Sequence, residues 1–192
     1  MRVPLKLKFY YLLSRFFQKN KTPNFSMDTP REIRPGEEFA LEKLKTYLSE
    51  NNINTDNLSI KQFPSGYSNL TYFLKSSSQE FVLRRPPFGA KSLQGGHDMF
   101  REYNVLKNLK SQFTKVPDVY LYCDNNEIIG VPFYLMERVE GYIIRPNLQQ
   151  KDSPGKEVIK SVSKSLVSSL VELHNVDIDQ ANLNELGNID GY

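Results

Sequence analysis

The chain holds one cysteine, Cys123, in 192 residues. A lone thiol excludes an internal disulfide framework and a cysteine-rich zinc site. A reducing, cytoplasmic setting is the expectation that follows. Cys123 lies in an apolar, tyrosine-rich run, where a thiol serves packing rather than reactivity. No set of His, Cys, Asp and Glu has metal-site spacing. No uninterrupted stretch of about 20 apolar residues occurs, so no segment is expected to span a bilayer. There is no internal repeat, and the Ser76-Ser77-Ser78 triplet is too short to count as low complexity. The first 26 residues contain no acid at all.

That last absence distorts the net charge. Arg2, Lys6, Lys8, Arg15, Lys19 and Lys21 are unopposed, so residues 27–192 carry −3 although the whole chain carries +3. A body of that sign excludes a nucleic-acid-binding surface on charge grounds. Residues 1–26 interleave their cations with Leu5, Leu7, Phe9, Leu12, Leu13, Phe16 and Phe17. They read as a basic amphipathic leader, suited to weak contact with a membrane surface or to an organelle presequence. No small-residue cleavage site follows it. The plainer reading is an upstream extension, with a natural start at Met27.

What is present is enough for a core: 39% hydrophobic and 12% aromatic residues. The length suits one domain, or one lobe of a larger domain with extensions. Residues 27–57 are expected to hold a proline-spaced linker and an N-terminal helix over Glu37–Glu50, with Phe39, Leu41, Leu44, Tyr47 and Leu48 at helical spacing. Residues 58–141 change texture. Leu58–Phe63, Leu70–Leu74 and Glu80–Arg84 read as three strands joined by short links, hence an antiparallel meander closed by Pro86-Pro87. Residues 97–110 follow as a helix. Val119–Tyr122 and Phe133–Val139 are a fourth and fifth strand around a turn with Asn125, Asn126 and Gly130. Residues 142–192 open with a helix over 155–174, whose stripe is Val158, Val162, Leu166, Leu170 and Leu173.

Four motifs stand in order along this frame. They are Phe63–Tyr72, with the turn Ser65-Gly66-Tyr67-Ser68-Asn69; Phe81–Pro87, with Arg84; Arg101–Leu106, with Glu102; and Tyr134–Gly141, with Met136. Together they resemble the aminoglycoside phosphotransferase / choline kinase-like superfamily. The resemblance is nearest to the branch found at the N-terminus of some acyl-CoA dehydrogenases and covers roughly residues 35–192.

The resemblance implies an α+β fold: a protein-kinase-like small lobe of five antiparallel strands and one helix, then the first helix of a truncated large lobe. It also implies a nucleotide site. Ser65, Gly66, Ser68 and Asn69 would offer backbone N–H groups to phosphates, Gly66 permitting close approach. Arg84 stands where the general kinase pattern has lysine and would grip phosphate, bidentately rather than as a point charge. Strand alternation puts Val82 and Arg84 on one face and Arg85 on the other. Glu102 would pair with Arg84. Met136 takes the gatekeeper place, and the Glu137 carbonyl and Val139 N–H would meet the adenine edge. ATP (or GTP) with Mg²⁺ and a small-molecule acceptor are the implied partners.

The chemistry of transfer needs a base Asp and metal ligands. His174-Asn175-Val176-Asp177, with Asn182 five residues later, imitates the spacing of a catalytic loop. It directly continues a helix, and its histidine is one position too far upstream. No catalytic residue is therefore assigned. The expectation is the ATP-binding N-terminal part of a phosphotransferase whose catalytic loop is absent from this chain; the alternative is a non-catalytic nucleotide-binding or regulatory module ending at residue 192.

Overall fold

The computed structural model describes residues 29–64, 69–89, 97–141 and 155–184. The leader and the turn residues Ser65, Gly66 and Ser68 lie outside them. The elements are α1 (Leu41–Glu50), β1 (Ser59–Gln62), β2 (Leu70–Lys75), β3 (Glu80–Arg85), α2 (Met99–Leu109), β4 (Val119–Cys123), α3 (Asn126–Ile129), β5 (Phe133–Glu137) and α4 (Lys156–His174). The sheet runs β1-β2-β3-β5-β4 with every pairing antiparallel. Among the described residues no helix is long and apolar enough to cross a membrane.

Register sorts the side chains into two faces. Leu83 stands opposite Tyr72 on β2 and Leu135 on β5, and Phe81 stands opposite Leu74. These residues are buried with Leu44 and Leu48 of α1 in one apolar cluster. Each such large side chain contributes about 1.5–3 kcal/mol when fully buried, so this face holds the lobe together. The alternate positions put Thr71 beside Arg84 and Phe73 beside Val82. They also put Val82 beside Met136 and Arg84 beside Tyr134. This second face carries the polar chemistry.

Local signals end the elements. Ser76 Oγ accepts from the Gln79 N–H at 3.1 Å, tightening the β2–β3 turn. Asp98 caps α2 by accepting the Arg101 N–H at 2.9 Å. Asn125 caps α3, and Gly130 ends it with φ of 88°. That short helix replaces the plain turn expected there. It forms because a side-chain cap precedes, and a left-handed glycine follows, one apolar turn. The N-terminal helix also starts later than Glu37. Residues 37–39 stay outside the helix, and the Glu37 carbonyl accepts from the Tyr72 hydroxyl at 2.8 Å and from Arg85.

At the centre of those bonds is Arg85. Its side chain is completely buried. Nη2 donates to the Glu37 carbonyl at 2.6 Å and to Tyr72 Oη at 2.7 Å. Nη1 donates to the Pro86 carbonyl at 3.1 Å. The guanidinium lies 4.0 Å from the Phe88 ring centroid and 5.3 Å from that of Tyr72. Burial pulls its pKa down, with Tyr72 and Glu37 partly opposing. Burial likewise pushes the Tyr72 hydroxyl up to about 12, against the neighbouring Arg85 charge. The extended segment is fixed further along. Arg31 and Gln62 exchange backbone bonds of 2.8 Å. The Gln62 amide bonds to both the Arg34 N–H and the Glu37 carboxylate.

The described residues divide into two units, one drawn from residues 29–140 and 167–184 and the other from Gly141 and residues 155–166. In the first unit Lys115 pairs with Glu172 at 2.6 Å, Gln112 donates to the Asp177 carbonyl at 3.1 Å, and Ala181 is buried. In the second, the described part is Gly141 and residues 155–166, including the start of α4. Helix α4 buries none of its residues.

Candidate functional site

The site grows from β3. Val82 and Arg84 point to the second sheet face, as alternation requires, and Arg85 points to the core face. Above that face runs α2, packed on β4 and β5. The Asp98 cap sets the phase of α2 and so brings Glu102, four residues on, over Arg84.

Glu102 accepts four hydrogen bonds from three neighbours. Arg84 Nε donates to Oε2 at 3.0 Å and Arg84 Nη2 to Oε1 at 3.3 Å. Asn69 Nδ2 donates to Oε1 at 2.7 Å. Tyr134 Oη donates to Oε2 at 2.9 Å. A carboxylate has about four lone-pair directions, so this one is saturated. Asn69 turns its carbonyl to His97 Nδ1 at 2.8 Å. With the amide NH₂ facing a carboxylate, that ring nitrogen must carry a proton.

The Arg84 charge is secure. Burial works against it, but Glu102 and Tyr134 outweigh burial and hold the pKa above its ordinary value. Burial pushes the Tyr134 hydroxyl well up, with Arg84 opposing, so at neutral pH it remains a donor. Arg84 Nη1 also donates to Thr71 Oγ1 at 3.3 Å. Tyr134 also interacts with the guanidinium through a side-chain hydrogen bond.

Beside the pair lies a hollow of about 480 Å³ lined by Arg84, Glu102, Val105, Leu106, Tyr134 and Met136, among others. Val82 is buried beside Met136 in the sheet. Glu137 ends β5 with its N–H on the Asp118 carbonyl at 2.7 Å. Its carboxylate meanwhile accepts the Asp118 N–H at 3.1 Å. Val139 follows in irregular backbone with its side chain 65% exposed.

Most of the expected residues thus meet. Val82, Arg84, Glu102 and Met136 share one face, and Glu137 and Val139 leave it at the end of β5. Asn69 adds a contact beyond its expected backbone role: its side chain bonds the Glu102 carboxylate and the His97 imidazole. Ser65, Gly66 and Ser68 lie outside the described residues. Sequence reasoning missed Tyr134 and His97. The signal for Tyr134 was its position two residues before Met136, on the Arg84 face. The His174–Asn182 segment carries a local turn. Asp177 Oδ1 accepts the Gln180 N–H at 2.9 Å, closing a turn, and His174 ends α4. Among the described residues no cluster of three or more His, Cys, Asp or Glu could hold a metal ion.

Comparison with known proteins converges on one group. The model of the phosphotransferase enzyme family matches residues 59–190. Acyl-CoA dehydrogenase family member 11 of Rattus norvegicus is 37% identical over 174 residues, which is 86% of this chain and 22% of that protein. Acyl-CoA dehydrogenase family member 10 of Mus musculus is 34% identical over 155 residues, 80% of this chain and 14% of that protein. The crystal structure of a candidate aminoglycoside phosphotransferase from Ralstonia eutropha superposes with a TM-score of 0.63 at 26% identity, covering 79% of this chain and 43% of that one. The chain therefore spans less than half the length of each.

Proposed function

This chain belongs to the phosphotransferase enzyme family, and from that premise we propose that it forms the nucleotide-recognising part of a small-molecule phosphotransferase, taking ATP or GTP. The observation that carries this reading is the Arg84–Glu102 pair, 3.0 Å apart on the face that also holds Val82 and Met136. The base of the nucleotide lies over Val82 and Met136, where an apolar floor replaces water. Its edge meets the backbone of Glu137 and Val139. The phosphates reach the terminal nitrogens of Arg84 and the backbone of the turn Ser65, Gly66, Ser68 and Asn69.

The nucleotide of this family travels with Mg²⁺, which would shield phosphate charge during transfer. The acids among the described residues form no ligand set for it, and Glu102 is saturated by its four donors. What this part of the chain does is bind and orient. Residues 142–192 would begin a second lobe, the acceptor being a small molecule with a phosphorylatable group.

The test is calorimetric titration of the 192-residue chain with ATP and GTP, with and without Mg²⁺. Arg84→Ala should weaken binding about tenfold or more, since a hydrogen bond to a charged group contributes about 1.5–3 kcal/mol. Absence of any nucleotide affinity in the wild type would refute the reading.

A further inference from the structure

We propose that Tyr134 and Asn69 are positioning residues for phosphate recognition, acting through Glu102 to fix the edge that Arg84 presents. The inference rests on the nucleotide reading above and adds to it the device that aims the cation.

An arginine on a strand end has four side-chain torsions, and one carboxylate alone does not settle them. Glu102 is itself on a helix and would be free to swing. Tyr134 stops that from β5, at 2.9 Å to Oε2, and Asn69 stops it from the start of β2, at 2.7 Å to Oε1. Both clamps are buried, Tyr134 at 2% exposure and Asn69 at 7%. Tyr134 is braced in turn by the Tyr103 ring, 6.5 Å between centroids. Asn69 is braced by His97 at 2.8 Å. With Glu102 fixed, the Nε side of Arg84 is committed to it. Thr71 takes one donor of Nη1. The terminal nitrogens Nη1 and Nη2 are the part of the guanidinium left to meet a phosphate. Removing a clamp leaves every charge in place and lets the guanidinium rotate. The loss falls on ligands with phosphate and spares those without.

The experiment compares ATP and adenosine on the 192-residue chain as wild type, Tyr134→Phe, Arg84→Ala and the double variant. Tyr134→Phe should weaken ATP about fivefold to tenfold, the range of one such hydrogen bond, and leave adenosine unchanged. The double variant should bind ATP no more weakly than Arg84→Ala alone, because coupled residues are not additive. Equal losses on ATP and adenosine, or additive losses in the double variant, would overturn the proposal while leaving nucleotide recognition intact. A wild type without ATP affinity would overturn both. Asn69→Ser removes the second clamp and should reproduce the selective loss. It supplies the decisive measurement if Tyr134→Phe does not fold.

Discussion

At the scale of single residues, Arg84 and Arg85 are sequence neighbours with opposite duties. Arg84 faces the hollow and is satisfied by a carboxylate. Arg85 is enclosed by aromatic rings and carbonyls. Substitution should separate them. Arg85→Ala strips the Glu37 carbonyl and Tyr72 hydroxyl of a donor and opens a cavity. A destabilisation of at least about 2 kcal/mol is expected in urea melts. Arg84→Ala should lower the midpoint less than Arg85→Ala does and weaken nucleotide binding about tenfold or more. Gly130 belongs to the same neighbourhood. Its φ is 88°, and a Cβ there would stand 2.8 Å from Phe88 Cε1. Gly130→Ala therefore combines left-handed strain of about 1–2 kcal/mol with displacement of the ring that stacks on Arg85. A melt as stable as wild type would contradict that reading. The Arg84–Glu102 contact was legible in the sequence because strand alternation and motif order both point to it. The Arg85 cage was not. Nothing along the chain announces that Phe88 and the Glu37 carbonyl close on one cation.

At the scale of elements, the extended segment before α1 is held by charge as well as by backbone. Burial would raise the Glu37 carboxyl, but hydrogen bonds from Gln62 and Arg34 and the nearby cations hold it below its ordinary 4.5. The Glu80 carboxyl is lowered by Lys75, with Arg138 adding to it against burial. A depressed carboxyl contributes stability that is complete above its unfolded pKa and is lost as pH falls through the folded value. Stability should therefore decline below about pH 4.5, and Glu37→Gln should flatten that decline while lowering stability at pH 7. Urea midpoints between pH 7 and pH 3 test this; an unchanged slope would remove Glu37 from the account. Helix α4 presents a different problem. Leu166, Val167, Leu170 and Val171 are 46–60% exposed. An apolar stripe of this kind favours association. Sedimentation should show self-association that rises with concentration and falls in a Leu166→Lys, Leu170→Lys variant; a monomer at all concentrations would show that the stripe is tolerated bare. The helix and its periodicity were readable in the sequence, because spacing of 3.6 is a local property. The capped α3 depended on a side-chain bond from Asn125 and a left-handed Gly130 that helical spacing does not encode.

At the scale of the whole described lobe, two faces of one sheet divide the labour. Leu83, Leu135 and α1 give rigidity on one side, while Arg84, Tyr134 and Glu102 of α2 form a polar network on the other. The antiparallel order and most strand limits follow from alternation and turn residues. The position of β5 between β3 and β4 carries the site, since it places Tyr134 beside Arg84. Arg85 joins parts of the chain that are far apart in sequence, at Glu37, Phe39, Tyr72, Pro86 and Phe88. Its enclosure has a kinetic face. Guanidinium protons normally trade with water too fast to be seen near neutral pH. Those of Arg85 can reach water only when the N-terminal segment and the β2–β3 hairpin part together, so their exchange should report cooperative opening rather than fraying. One slow side-chain resonance would thus time the unfolding of the lobe, persisting in deuterated solvent after that of the exposed Arg31 has vanished.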